Sequence, residues 1–252
     1  MAAWWGARRM RILVANANTT QAITAACVAA AQAAAAPGTE IIGATPAFGP
    51  AVISTRAENA IAAHALLATL AEYAGTIDAA VLAVSHDTAL EAARQLMPCP
   101  VIGMTEAACL TACLVGGQFG VLTLGQAGPY EELVARHGLT ARCGQVLGLP
   151  LTPQQAIANP DGAAGQVLAA AEAMAARCDS VVLAGAALAG MAAALQPRAA
   201  LPLLDGIACA VKLAEALAAL RLPKPRSGSY AAPEGRAALG LSPALAALLR
   251  GA

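Results

Sequence analysis

Short apolar runs alternate with longer Ala-rich segments along nearly the whole chain, and this alternation limits the possible folds more than any other feature. The runs are rich in Val, Ile and Leu without alternating polar residues, which is typical of parallel strands buried on both faces. The segments between them have the length and composition of helices. We therefore predict an α/β fold, with strands at 11–15, 39–44, 79–84, 100–103, 119–123, 144–148, 180–184 and 201–204. Helices are predicted at about 19–35, 58–74, 88–97, 105–115, 129–137, 161–177, 187–195 and 207–220.

The two halves of the chain also resemble each other. Asp78 pairs with Asp179, and Pro100 pairs with Pro202, at an offset of about 101 residues. Ala89-Leu90 pairs loosely with Gly190-Met191. A chance likeness between two Ala-rich βαβα units is the alternative to an internal duplication.

A duplication predicts two similar parallel-sheet lobes, related by a pseudo-two-fold axis, with a ligand cleft between them. The first lobe is expected to contain 11–100 with the helix 207–220, and the second 101–206. Ligands of open parallel sheets bind beyond the carboxyl ends of the strands, where helix N-termini point their amides. Val84–Thr88 and Gly185–Ala189 should therefore form opposite walls of the cleft.

Composition excludes several classes of partner. Acidic and basic residues balance at 15 each, and neither sign forms a run, so no surface for nucleic acid or an anionic membrane is expected. No stretch of about 18 apolar residues suggests a membrane span. The opening MAAWWGARR lacks the apolar core of a secretory signal, and residues 1–9 are interpreted as an N-terminal extension. A soluble cytoplasmic protein with a small-molecule substrate is expected.

The 7 cysteines have irregular spacing and no CxxC pair, which favours reduced thiols in a cytoplasmic protein over a disulfide framework. Cys109 and Cys113 share a predicted helix face, but no histidine or second cysteine pair lies near them in sequence. They are interpreted as small core residues, and no metal site is predicted.

Polar residues follow the third predicted strand. Ser85, His86 and Asp87 occupy this loop, and Thr88 with Glu91 forms a pattern that predicts a capping box for the next helix. Because an imidazole titrates near neutral pH and can move a proton, His86 is the principal predicted catalytic residue. Asp87 is the second, close enough to influence the pKa of His86. Ser85 is expected to contact the substrate.

Other strand ends carry polar groups that could serve the fold or a ligand. Asn18 is predicted to cap the helix after the first strand, and Asn16 either belongs to that turn or binds substrate. Thr123 ends a strand and Tyr130 opens the following helix, so their hydroxyls could hold a carboxylate or carbonyl oxygen. Both are predicted to bind substrate.

Four further polar residues have simpler explanations. Glu106 lies in a first helical turn, where the helix dipole favours an acid. Asp205 ends the last strand and is explained as a helix cap. His64 and His137 lie within or at the end of predicted helices, and no function is predicted for them.

Several segments in order along the chain resemble the hydantoin racemase branch of the aspartate/glutamate/hydantoin racemase superfamily. NANTT is similar to that branch's N-P-N-T-T, with Ala17 in place of Pro, and PVIGMTEAA is similar to P-V-I-G-x-x-E-A-A. FGVLTLGQAGPYEELVARHGL, RCDSVVLAGAALAGM and PLLDGIACAVKLAEAL continue the likeness. It runs from about Arg11 to Leu220.

The resemblance implies a racemase that needs neither pyridoxal phosphate nor metal, and therefore no cofactor. In the family, one cysteine removes the proton beside a carbonyl and a second returns one from the opposite face. The first cysteine would fall at Val84, or near Ser85–Thr88 by a slipped alignment, and the second at Gly185; none of these positions carries a thiol here. Gly185 and Ala186 are still expected to contact the substrate, and a homo-oligomer is expected.

Three functions fit these observations. The first is a racemase or epimerase for a carbon acid next to a carbonyl, such as a hydantoin, an amino acid or a related small carboxylate. His86 or Asp87 would act on one face, with an unidentified group on the other. The second is a lyase, decarboxylase or isomerase with one-sided proton chemistry, and the third is a non-catalytic binding protein. The first is preferred because the resemblance supports it most.

The C-terminal region 221–252 departs from the family pattern. Its first part is rich in Pro, Gly and Ser and predicts a linker. A short helix is predicted after Ser242 as N-cap, with Pro243 in the first helical position. This helix either docks on a neighbouring subunit or frays.

Overall fold

The computed structural model describes residues 9–233, 235 and 237–251, and it contains two four-stranded parallel sheets covered by helices. This confirms the predicted α/β class. Two compact units divide the described residues. The first holds the residues up to Leu82, then Ala89–Ile102, and those from Val211 onward; the second holds Ala83–Thr88 and Gly103–Ala210. Apart from Arg9, the predicted N-terminal extension lies outside the described residues.

The first sheet has the strand order β2-β1-β3-β4. Its strands are β1 Met10–Ala15, β2 Thr39–Ala44, β3 Ala79–Leu82 and β4 Val101–Gly103. The helices of this part are α1 Gln21–Ala34, α2 Arg56–Ala71 and α3 Leu90–Leu96. Ile12, Leu13 and Val14 of the central β1 are fully buried, as the continuous apolar pattern predicts for a strand covered on both faces.

The second sheet has the order β6-β5-β7-β8. Its strands are β5 Phe119–Leu124, β6 Cys143–Leu149, β7 Ser180–Ala184 and β8 Leu203–Asp205. The associated helices are α4 Met104–Val115, α5 Gly128–Arg136, α6 Pro153–Ala158, α7 Pro160–Met174 and α8 Met191–Leu195, with α9 Gly206–Leu220 after β8. Three short 3₁₀ turns lie at Thr140–Arg142, Ala186–Leu188 and Gln196–Arg198.

Alternate residues of β7 supply both cores of the second unit. Val181 and Leu183 pack with Val167 on the α7 side, whereas Val182 packs with Leu133 on the α5 side. Successive side chains of a strand point to opposite faces, so an unbroken apolar run is needed to fill both cores. This arrangement places β7 between α7 on one face of the sheet and α5 on the other.

The two repeats share hydrogen bonds as well as strand order. Asp78 accepts the amide of Arg11 at 2.8 Å and donates its own amide to the Arg11 carbonyl at 2.8 Å. Asp179 makes the same pair of bonds with Gln118, at 2.9 and 2.8 Å. The prolines paired by sequence are equivalent too, since their carbonyls accept the amides of Ala80 and Val181. These shared contacts support the duplication inferred from the sequence.

Most predicted elements lie within two residues of their observed bounds, and the differences have local causes. β3 ends at Leu82, two residues early, and the loop Ala83–Thr88 follows. The predicted helix 187–195 is divided into a 3₁₀ turn and α8, because Gly190 adopts a left-handed conformation with φ of 79°. The helix α6 was not predicted.

The helix caps predicted at the strand ends have different outcomes: Asp205 caps α9 by accepting the Ala208 amide at 2.9 Å, whereas Asn18 is not the N-cap of α1. The N-cap of α1 is Thr20, and Asn18 instead accepts the Thr20 amide at 3.0 Å within the preceding turn. The N-cap of α3 is Ala89, one residue after the predicted Thr88, and it adopts a left-handed conformation with φ of 59° and no side-chain cap. Thr88 is buried instead.

The C-terminal helix α10, Pro243–Leu249, packs on α2 of the same chain. Ser242 caps it as predicted, and Leu245 is buried against Ala68 and Ala71. In the segment before this helix, Lys224 donates hydrogen bonds to the backbone carbonyls of Arg94 and Met97. In the described part of the chain, no helix is long and apolar enough to cross a membrane.

Candidate active site

The loop after β3 carries three of the predicted site residues in a turn that the surrounding elements hold in place. The amide of Asp87 donates to the carbonyl of Val84 at 3.0 Å, and Asp87 has a φ of 48°. A positive φ is uncommon for a residue other than glycine, and Asp and Asn tolerate it best. Thr105, at the start of α4, donates its hydroxyl to the carbonyl of Ser85 at 2.7 Å.

Asp87 points its carboxylate at the N-terminus of α4. Its two oxygens accept the amides of Thr105 at 3.1 Å and Glu106 at 2.8 Å. Free amides and the helix dipole stabilise an anion at this position. A Cβ on Gly103 would lie 2.5 Å from this carboxylate, so the absence of a side chain there makes room for Asp87.

A buried histidine completes the surroundings of Asp87. Nε2 of His137 lies 3.3 Å from Oδ2 of Asp87, and Nδ1 lies 3.5 Å from Oε1 of Glu106. The three side chains are 8%, 0% and 12% exposed for His137, Asp87 and Glu106. Burial raises the pKa of Asp87, and the hydrogen bonds from His137 and the two amides oppose that rise.

Ser85 and Tyr130 place two hydroxyls together. The phenol of Tyr130 donates to Oγ of Ser85 at 2.9 Å, and the side chain of Thr123 is also hydrogen-bonded to Tyr130. Burial raises the pKa of Tyr130, so the phenol keeps its proton near neutral pH. These three predicted substrate-binding residues therefore form a neutral group of hydroxyls.

His86 is the half-exposed titratable group of the loop. Its ring lies 5.3 Å from the Tyr130 ring, between centroids, and its backbone carbonyl accepts a hydrogen bond from Arg136 at 3.2 Å. Burial lowers the pKa of His86, Asp87 raises it, and Arg136 lowers it further. Because the net direction is downward, the ring is neutral near pH 7 and can accept a proton.

The other predicted substrate-binding residues are Asn16, Gly185 and Ala186. Asn16 belongs to the first unit, where its side-chain amide donates to Asn18, the Thr20 carbonyl and Thr24. Its side-chain oxygen accepts the Asn18 amide, so both ends of the side chain are engaged within its own turn. Gly185 has a φ of 134° and leads into the 3₁₀ turn Ala186–Leu188.

Burial favours the protonated form of five of the thiols. Burial raises the pKa of Cys99, Cys143 and Cys209 to about 11 in each case. It also raises the pKa of Cys109 and Cys178. Among the residues with described positions, no group of three or more His, Cys, Asp or Glu side chains could hold a metal ion.

Comparison with known proteins gives consistent relatives. The family model for Asp/Glu/hydantoin racemases matches residues 12–214. The chain belongs to the Asp/Glu/hydantoin racemase family. A hydantoin racemase from Paenarthrobacter aurescens is 33% identical over 231 residues, which cover 89% of this chain and 98% of that protein. The structure of an allantoin racemase from Klebsiella pneumoniae matches with a TM-score of 0.87 and 32% identity, over 94% of this chain and 98% of that one.

A second allantoin racemase structure, from Pseudomonas fluorescens, matches with a TM-score of 0.87 and 31% identity. It aligns with 92% of this chain and with all of its own. Relatives of this length and identity make this member of the Asp/Glu/hydantoin racemase family an isomerase of the racemase type.

Arg136 and His137 are the parts of the site that sequence reasoning missed. A periodic signal was present, because Tyr130 and His137 are seven residues apart and so lie on one face of a helix. Their common partner is a loop about 50 positions earlier, and nothing local in the sequence indicates that contact.

Proposed function

We propose that this family member is a cofactor-independent racemase or epimerase whose substrate is a hydantoin-type ring. The relatives that align over nearly the whole chain carry the names hydantoin racemase and allantoin racemase. Allantoin is a hydantoin with a ureido substituent, so both names describe one chemistry. The stereocentre of such a ring lies between a ring nitrogen and a carbonyl, and its hydrogen is therefore acidic.

The observation that supports proton chemistry at this site is a neutral, half-exposed His86 beside the hydroxyls of Ser85 and Tyr130. In the proposed step, His86 removes the hydrogen of the stereocentre. The carbon–hydrogen bond breaks, an N–H bond forms on the imidazole, and the electron pair moves to the carbonyl oxygen. Hydroxyl donors stabilise a developing oxyanion of this kind. Return of a proton to either face of the planar intermediate completes the reaction.

One observation favours a second candidate function. Racemisation needs a proton to reach the face opposite the first base, yet the segment Gly185–Leu188, where the family resemblance places the second acid, contains only Gly, Ala and Leu. A one-sided reaction such as decarboxylation, elimination or isomerisation needs only His86 and solvent. In the racemase proposal, water or a side chain outside that segment supplies the second proton.

An exchange experiment in deuterated water tests these alternatives. Single enantiomers of allantoin and of 5-substituted hydantoins are incubated with the protein, and mass and chirality are measured in the recovered compounds. Uptake of one deuterium with loss of optical purity, faster than in the protein-free control, supports the racemase. Release of a smaller product, or formation of an isomer other than the enantiomer, supports the one-sided reaction, and neither exchange nor product over the whole panel contradicts both for hydantoin-type rings.

The role of His86 has its own test. Loss of a positioned general acid or base costs about 10²–10⁴ in rate, so His86→Ala should lower kcat by that order while remaining folded. His64→Ala is the matched control, because His64 belongs to α2 and contacts the Phe48 ring. Equal turnover by both variants and the parent would contradict proton transfer by His86.

A further inference from the structure

We propose that His137 is a positioning residue for this reaction, which fixes the His86 loop by holding the buried carboxylate of Asp87. The inference rests on the proposed function of His86. It also gives Asp87 a positioning role, acting through the loop and not on the substrate. Neither role follows from the family resemblance, since no function was predicted for His137 and Asp87 was expected to be catalytic.

The surroundings of Asp87 exclude direct contact with a ligand. Its side chain is 0% exposed, and the carboxylate accepts two backbone amides and faces His137. A carboxylate enclosed by the start of α4 and by an imidazole has no free path to a substrate atom. These contacts instead fix the position of Asp87 and of the loop backbone that carries it.

His137 lies between the carboxylate of Asp87 and that of a second acidic residue, Glu106. Each of its ring nitrogens faces a carboxylate oxygen, of Asp87 on one side and of Glu106 on the other. Through these two contacts the imidazole connects the loop, the start of α4 and the end of α5. A buried carboxylate that loses such a partner is left with an unmet desolvation cost.

His86 is directly coupled to this arrangement by the chain. It precedes Asp87, whose φ of 48° sets the direction in which the loop enters and leaves the turn. The carbonyl of His86 accepts a hydrogen bond from Arg136, the residue before His137. The end of α5 therefore holds two consecutive residues of the loop, and a shift at Asp87 moves the His86 ring. A displacement of about 1 Å at a reacting group can cost about 100-fold in rate.

Two amide substitutions separate the two contacts of His137. The side-chain nitrogen of Gln lies near the position of Nε2, which faces Asp87, whereas that of Asn lies near Nδ1, which faces Glu106. His137→Asn should lower kcat about 10- to 100-fold with a smaller change in KM. His137→Gln should keep most of the activity, because it keeps a donor for Asp87. His64→Gln is the control and should behave like the parent.

A readout that needs no substrate accompanies the kinetics. The chain has 3 histidines, so the His86 ring can be assigned by NMR from the single variants and titrated directly. Because burial lowers its pKa, release of the loop in His137→Asn should move the His86 titration upward towards the ordinary imidazole value. In His137→Gln the titration should stay close to that of the parent.

Two results would overturn the inference. One is parent-like kcat and His86 titration in both His137 variants. The other is an equal loss of kcat in Asn and Gln variants that follows a lower melting temperature, with an unchanged His86 titration, since this indicates only a structural contact. Failure of the proposed function is distinct: the parent then exchanges no substrate hydrogen, while the His86 titration still tests the positioning by His137.

Discussion

At the scale of single residues, the protonation of His86 is set by opposing neighbours, and this makes its pH dependence testable. Its pKa is lowered by burial and by Arg136, and raised by Asp87. The proposed base must be neutral, so if His86 is that base, kcat/KM should fall as the pH drops through a pKa below the ordinary value of about 6.5. Arg136→Gln removes the positive charge and should move this acid limb to higher pH. Arg136→Lys should move it less.

The measurement is kcat/KM for hydrogen exchange from about pH 4 to pH 8 for the parent and both variants. The Lys variant keeps the charge and therefore separates electrostatics from the lost hydrogen bond to the His86 carbonyl. An acid limb at the same pH in all three proteins would show that Arg136 does not act on His86. A limb that moves equally in both variants would assign the effect to the loop geometry.

Part of the candidate site could be predicted from sequence because parallel sheets bind ligands beyond their strand ends. That rule, together with the chemistry of the side chains, selected Ser85, His86, Thr123 and Tyr130, and the structure brings Ser85, His86 and Thr123 to Tyr130. The same rule selected Asn16, whose side chain is engaged in its own turn. Position along a strand does not reveal whether a polar side chain is already satisfied by local backbone.

At the scale of the elements, the two repeats make a matched pair of stability predictions. Ala89 and Gly190 occupy equivalent positions, and both are left-handed N-caps, with φ of 59° and 79°. A left-handed residue with a Cβ costs about 1–2 kcal/mol, partly offset by the extra unfolded-state entropy of Gly. Ala89→Gly should therefore raise the free energy of unfolding by about 0.5–1 kcal/mol.

Gly190→Ala is the reciprocal change and should lower the free energy of unfolding by about 1 kcal/mol. A Cβ at Gly190 has no atom within 4 Å, so the cost is one of backbone conformation and not of a clash. Urea unfolding of the parent and both variants measures the two effects. Opposite signs are required, and a loss of stability in Ala89→Gly would contradict equivalence of the two caps.

The elements themselves were predictable where the apolar run was continuous, as in β7, whose bounds match. Where a single turn determines whether a helix continues, helix propensity was insufficient to predict the bounds of the helix. Gly190 interrupts a helical pattern by its positive φ. The Ala-rich residues on both sides of it favour a helix, so the sequence did not indicate this interruption. The missed α6 had a usable signal, since Thr152 and Gln155 form a capping box around Pro153.

At the scale of the whole molecule, the internal duplication inferred from the sequence explains why the same sequence patterns predicted the elements of both sheets. The order β2-β1-β3-β4 is repeated as β6-β5-β7-β8, and Asp78 and Asp179 make the same bonds at equivalent strand starts. The repeats differ in the loops after their third strands. One carries Ser85, His86 and Asp87, whereas the other continues as Gly185, Ala186, Ala187 and Leu188. Polar and ionisable side chains are therefore unequally distributed between these two loops.

The absence of thiols from the loops after the third strand of each sheet leads to a prediction about the 7 cysteines of the chain. Catalysis through a thiolate needs a lowered pKa and access to solvent. Here burial raises the pKa of five cysteines, and to about 11 for Cys99, Cys143 and Cys209. Val84 and Gly185 stand where the family resemblance places its catalytic thiols. Treatment of the native protein with iodoacetamide at neutral pH should therefore leave hydrogen exchange on the substrate nearly unchanged.

Mass spectrometry of the treated protein gives the extent of alkylation at each of the 7 cysteines, and denatured protein shows that the reagent can reach them all. Slow, incomplete alkylation with retained activity is the expected result, because protonated thiols are poor nucleophiles. Rapid inactivation that substrate prevents, mapped to a single cysteine, would place a thiol in the reaction. The proton chemistry would then have to be reassigned from His86 to that cysteine, because protection of a reactive thiolate by substrate is more direct evidence than the position of a neutral imidazole.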